Sequence, residues 1–109
     1  MATTVAIDQD VLDEIVRRIV RVAQPQRIIL FGSFARGDAG PNSDLDLLVI
    51  KAGHYHRGKL AGHIYESLIG VGQPVDVIVV TPEDVERYRN VHALVIAPAM
   101  REGQEIYAA

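Results

Sequence analysis

Cysteine is absent from the 109-residue chain, which excludes disulfides, thiolate zinc sites, iron–sulfur ligation and a cysteine nucleophile, and fits a reducing compartment. Long apolar runs are missing too. The longest uncharged one, Ala93–Met100, has eight residues and contains Pro98, against roughly 20 for a bilayer-spanning helix, so no transmembrane helix is expected. No basic residue precedes Asp8 and Asp10, so the charged-then-apolar layout of a signal peptide is lacking. A cytoplasmic location is the expectation. Positive charge is in deficit: the net charge is −3 and the pI about 5.7, which argues against membrane-surface binding and against direct nucleic-acid binding, since those partners are met with a positive field. Nine of the eleven basic residues are arginines, a bias that suits phosphate recognition and that genomic base composition explains equally well.

Internal repeats, low-complexity tracts and linker-like stretches are also absent. What is present, 49% apolar residues, is enough for one domain over residues 1–109 that buries roughly 60–70% of its unfolded surface without staples. Asp8 serves as an N-cap, and Val11, Leu12, Ile15, Val16, Ile19 and Val20 recur at helical spacing until about Ala23, before Pro25. Arg27–Phe31 and Leu45–Ile50 read as buried strands. Between them lie one helical turn, Ser33–Arg36, and the turn-rich Gly37–Asn42, which makes the two strands hairpin-like neighbours. Leu60, Ala61, Ile64, Tyr65, Leu68 and Ile69 form one stripe of a helix over 58–69. Pro74–Val80 is a third strand. Thr81-Pro82-Glu83 starts a short helix, and a second runs from about Val91 to Arg101, where Pro98 should kink or shorten it. Glu105–Tyr107 closes the chain as a short strand. The fold class is α/β (α+β), a small mixed sheet flanked by helices.

The informative segment is Phe31–Ile50. Gly32 and Ser33 follow a strand and open a helical turn, where free backbone N–H groups favour an anion and glycine allows a phosphate to come close. An ordinary turn explains the pair as well. Asp44 and Asp46, one residue apart at a strand head, share one face with Cα atoms roughly 6.5–7 Å apart, a spacing that suits a divalent cation; two solvated acids are the plainer alternative. Asp76 stands amid Val75, Val77, Ile78, Val79 and Val80, where burying a carboxylate is costly unless it is paired or metal-bound; taken alone it reads as an edge residue or a capped turn acid. Three such acids together would need a cation between them, and the third is a candidate base.

Gly32-Ser33, ten intervening residues, then Asp44-Leu45-Asp46, with Asp76 downstream, resembles the signature of the polymerase-beta-type nucleotidyltransferase superfamily. The resemblance covers most of the chain. The wording FGSFARG and NSDLDLLV is similar to the minimal nucleotidyltransferases of prokaryotes, the MNT antitoxins paired with HEPN-domain toxins. The resemblance implies the nucleotidyltransferase fold and a magnesium-dependent transfer, with two ions, of a nucleoside monophosphate from an NTP to a hydroxyl. It implies Asp44 and Asp46 as magnesium ligands, Asp76 as completing the second site and assisting the hydroxyl, and Gly32 and Ser33 as the grip on the triphosphate. For an MNT antitoxin it further implies AMP transfer from ATP to a tyrosine of a HEPN toxin. Larger superfamily members carry a further C-terminal domain that the present sequence leaves no room for, so the acceptor site would come partly from a partner or a second copy. Two alternatives stand beside this: a non-catalytic module that neutralises a toxin by contact, and transfer to a small molecule such as an aminoglycoside.

Weaker expectations attach to other residues. Arg36, one turn beyond Ser33, can reach a phosphate or simply face solvent. His54, His56 and His63 lie close in sequence without a second cluster to complete a metal set. Tyr55, Tyr65, Tyr88 and Tyr107 are expected in packing roles, and Glu86–His92 as a solvated helix face. Late apolar residues, Val91–Met100, suit either the core or a partner interface.

Overall fold

A computed structural model describes residues 4–91 and 95–109. Helix α1 (Gln9–Ala23) starts where the side chain of Asp8 accepts the N–H groups of Asp10 and Val11, and ends at Gln24 in the left-handed region. Its stripe of Leu12, Ile15 and Ile19 is buried against the sheet. Strand β1 (Arg27–Phe31), the single turn α2 (Ser33–Arg36) and strand β2 (Leu45–Ile50) follow. The next unit is α3 (Arg57–Ser67), β3 (Val75–Val80) and α4 (Pro82–Tyr88), and the chain closes with α5 (Ile96–Glu102) and β4 (Gln104–Ala108).

The four strands lie in the order β3-β2-β1-β4. β1 pairs antiparallel with β2 and with β4. β2 and β3 run parallel because α3 carries the chain back across one face between them. Alternation along the strands splits the core in two. Ile28, Leu30, Leu45, Leu47, Val49, Val77 and Val79 face α1 and α3, whereas Ile29, Leu48, Ile50 and Val80 meet Val85, Ile96 and Ala99 of the two short late helices. The second face is covered only in part. α5 packs on β1 and against α4, and from β2 and β3 their cluster takes in Leu48, Ile50, Ile78 and Val80 but neither Asp46 nor Asp76, which stand near the beginnings of those strands.

Several boundaries differ from the sequence expectation. α3 ends at Ser67, and Ile69, counted in its apolar stripe, lies outside the helix and is 77% exposed. Its first cap is His56, whose Nδ1 accepts the Lys59 N–H at 3.1 Å. α5 begins at Ile96 rather than Val91, which puts Pro98 in the first turn; an N–H there has no intrahelical acceptor to lose. The helix is shortened, and Pro98 causes no break within it. Residues 92–94 of the expected second helix lie outside the described residues.

Candidate active site

The site grows from the junction of β1 and β2. Phe31, the last residue of β1, is the register partner of Asp46, and the chain must leave β1 at that point without touching the Asp46 side chain. Gly32 solves this with φ 76° and ψ −155°, a backbone region open to glycine alone. A Cβ at Gly32 would overlap the Asp46 carboxylate. Ser33 then begins α2 directly after Gly32, so the N–H groups of its first turn have no intrahelical acceptors.

Asp44 is held by the connection before β2. Ser43 Oγ accepts the Gly40 N–H at 2.8 Å, and the Ser43 N–H returns to the Gly40 carbonyl at 3.1 Å. The Gln73 side chain ties the starts of β2 and β3 together by donating to the carbonyls of Ser43 and Pro74, and the Leu45 N–H donates to Pro74 as well. Asp46 and Asp76 therefore stand in register on adjacent parallel strands. Each points to the face opposite α1 and α3, since their neighbours Leu45, Leu47, Val75 and Val77 face those helices.

Burial pushes the Asp46 carboxyl above its ordinary value, and the charges of Asp76 and Asp44 push it further in the same direction, against a smaller opposing pull from Arg36. Asp46 is half-buried, and Asp44 and Asp76 are exposed. Asp76 is solvated because β3 is an edge strand, which is the edge-residue reading of this acid rather than that of a carboxylate enclosed by valines. The three carboxylates are close enough to repel, yet among the described residues no group of three acidic or histidine side chains converges on one point. The expected convergence of all three within bridging reach is thus not found in the side-chain positions, whereas the register sets Asp46 beside Asp76. Hard oxygen donors of net negative charge beside free backbone N–H groups are a donor set that fits a divalent cation accompanied by phosphate.

The remaining residues fall elsewhere. Arg36 pairs with Asp38 at 3.2 Å on the surface. His54 and His63 are exposed, and His56 is the helix cap. Tyr55 donates to the Lys51 carbonyl at 2.7 Å, and Tyr88 and Tyr107 pack against the core. Tyr65 departs from the packing expectation: it is 41% exposed and its hydroxyl lies at Asp76 and Val77. Burial holds its phenol above the ordinary value, the Val77 N–H opposing this and the Asp76 charge adding to it. Its spacing in the α3 stripe gave no sign of that contact.

The family model described as a nucleotidyltransferase domain matches residues 11–104. The chain belongs to the nucleotidyltransferase domain family. No curated protein matches it closely. Among solved structures, this nucleotidyltransferase domain is similar to a provisionally assigned nucleotidyltransferase from Sulfolobus solfataricus, at 20% identity and TM-score 0.64 over 91% of this chain and 78% of that one. It is also similar to a chain of a toxin–antitoxin complex with AMP-PNP, at 22% identity and TM-score 0.58 over 89% and 73%. A complex of tri-AMPylated Shewanella oneidensis HEPN toxin with MNT antitoxin matches at 19% identity and TM-score 0.56 over 94% and 74%. These likenesses show a shared fold, the nucleotidyltransferase fold. Among the described residues no helix is long and apolar enough to cross a membrane.

Proposed function

We propose that this domain transfers a nucleoside monophosphate, AMP from ATP, to a tyrosine hydroxyl of a HEPN-type toxin partner and so acts as an antitoxin. The observation that carries the chemistry is the register pairing of Asp46 with Asp76 directly beside the Gly32–Ser33 turn, in a chain of this family. Asp44 and Asp46 would hold magnesium, with Asp76 completing a second site. Magnesium, when bound, supplies charge neutralisation for the triphosphate and the departing pyrophosphate. The backbone N–H groups at Ser33 bind phosphate oxygens, and Gly32 leaves the space for them. Arg36, freed from Asp38, adds a cation at the rim. Asp76 accepts the proton of the acceptor hydroxyl as its oxygen attacks the α-phosphorus and the bond to pyrophosphate breaks. The toxin partner is supported by the fold shared with the MNT antitoxin complex, and a net charge of −3 disfavours nucleic acid as the alternative partner.

The deciding experiment uses α-labelled ATP, magnesium and lysate of the host, with the intact chain and its Asp44→Asn, Asp46→Asn form. Label on one small protein, with the intact chain alone, is the expected result and identifies the acceptor. No label with any of the four NTPs would move the function to neutralisation by contact.

A further inference from the structure

This inference rests on the nucleotidyltransferase reading above and adds to it a residue from α3, an element that carries none of the candidate site residues. The hydroxyl oxygen of Tyr65 accepts the Val77 N–H at 2.8 Å, which pins it against the outer side of β3, a strand with a neighbour on one side only. With that contact made, the single hydroxyl proton has two acceptors in reach, Asp76 Oδ1 at 3.2 Å and the Val77 carbonyl at 3.4 Å. The carboxylate is the nearer and the charged one, and hydrogen bonds to an ionised acceptor are roughly twice as strong as neutral ones. The proton therefore goes to Asp76.

Among the described residues Tyr65 is the one hydrogen-bond donor to the Asp76 carboxylate. An exposed aspartate on an edge strand otherwise has several staggered orientations of similar energy. Packing does not account for the phenol, because a phenylalanine would cover the same surface and only the hydroxyl makes these contacts. We propose that Tyr65 is a positioning residue, which restricts the Asp76 carboxylate to the edge of β3 beside Asp46, so that metal binding and proton acceptance start from one orientation rather than several. Partners of this kind, one bond removed from a ligand, change metal affinity or activity by about 10–100-fold when lost. For a half-exposed contact the lower end, about tenfold, is expected.

The test titrates Mn2+ into the full chain with a non-hydrolysable ATP analogue, read by electron paramagnetic resonance, for wild type, Tyr65→Phe, Asp76→Asn and the double variant. Thermal unfolding without metal is measured alongside. The phenylalanine keeps the ring, and water at the exposed edge can serve the Val77 N–H, so the variant is expected to fold. Expected are a roughly tenfold loss of Mn2+ affinity in Tyr65→Phe, a larger one in Asp76→Asn, and no further loss when the two are combined. The transfer rate should fall in Tyr65→Phe while the KM for ATP holds. A lowered melting temperature with unchanged Mn2+ affinity would reduce Tyr65 to a cap on the strand edge and overturn the proposal. Wild type that binds neither Mn2+ nor the analogue would instead overturn the nucleotidyltransferase reading and this inference with it.

Discussion

Two residues in contact, Gly32 and Asp46, concentrate the constraints of the site. A side chain at Gly32 would be strained by its backbone angles and would displace the Asp46 carboxylate. Gly32→Ala is therefore expected to cost about 1–3 kcal/mol of stability in urea unfolding and to abolish nucleotide transfer. Asp46 itself opposes folding. Its carboxyl is held above the ordinary value by burial first and by Asp76 and Asp44 second, so the folded state prefers the protonated acid. Its contribution is most favourable below the ordinary aspartate value and is lost as the pH rises through the raised one. Asp46→Asn should raise the melting temperature of the metal-free chain at pH 7, with the gain shrinking toward pH 4, while transfer is lost. A variant that melts earlier at pH 7 would contradict the charge argument. At this scale the sequence already marked Gly32, Ser33, Asp44, Asp46 and Asp76, because each is out of place in an apolar strand or at its end. Tyr65 was illegible, since a tyrosine in a helical stripe looks the same whether its hydroxyl meets water or a carboxylate on another element.

Among the elements, α4 carries a full capping box at its start, and it can be tested on that account. Thr81 Oγ1 accepts the Asp84 N–H at 3.1 Å and the Asp84 side chain accepts the Thr81 N–H at 3.0 Å. Thr81→Ala should cost about 1 kcal/mol, measured by urea unfolding at neutral pH. Burial alone would raise the Asp84 carboxyl, but the Thr81 N–H and hydroxyl and the Arg57 guanidinium at 2.6 Å bring it below the ordinary value. A lowered value means that the stabilisation is present above the ordinary 3.8 and is lost as the pH falls through the folded value. The difference between Thr81→Ala and wild type should accordingly narrow in acid. This helix start was legible because capping is local: three adjacent residues supply it. The start of α5 was not, since the apolar spacing continues upstream of Ile96 and only the position of Pro98 and the packing of Ile96 and Ala99 on the sheet fix where the helix begins.

For the molecule as a whole, ligand binding should register as stability. A ligand that binds only the folded state stabilises it by about 2.7 kcal/mol at 100 times its Kd, so ATP with magnesium should raise the melting temperature of wild type. The Asp44→Asn, Asp46→Asn form should show no such rise; an equal rise in both would place nucleotide binding away from the carboxylates. The sequence by itself determined the kinds and order of the elements and the identity of the chemically unusual residues, because periodicity, capping and turn chemistry act over a few neighbouring positions. It also supplied the family pattern that the match over residues 11–104 bears out. Tertiary structure alone decided the strand order β3-β2-β1-β4, the register that sets Asp46 opposite Asp76, the solvation of Asp76 and its contact with Tyr65. Those depend on which strand lies beside which and on how far short helices reach over a sheet face, and such pairings are settled by long-range packing rather than by any local run of residues.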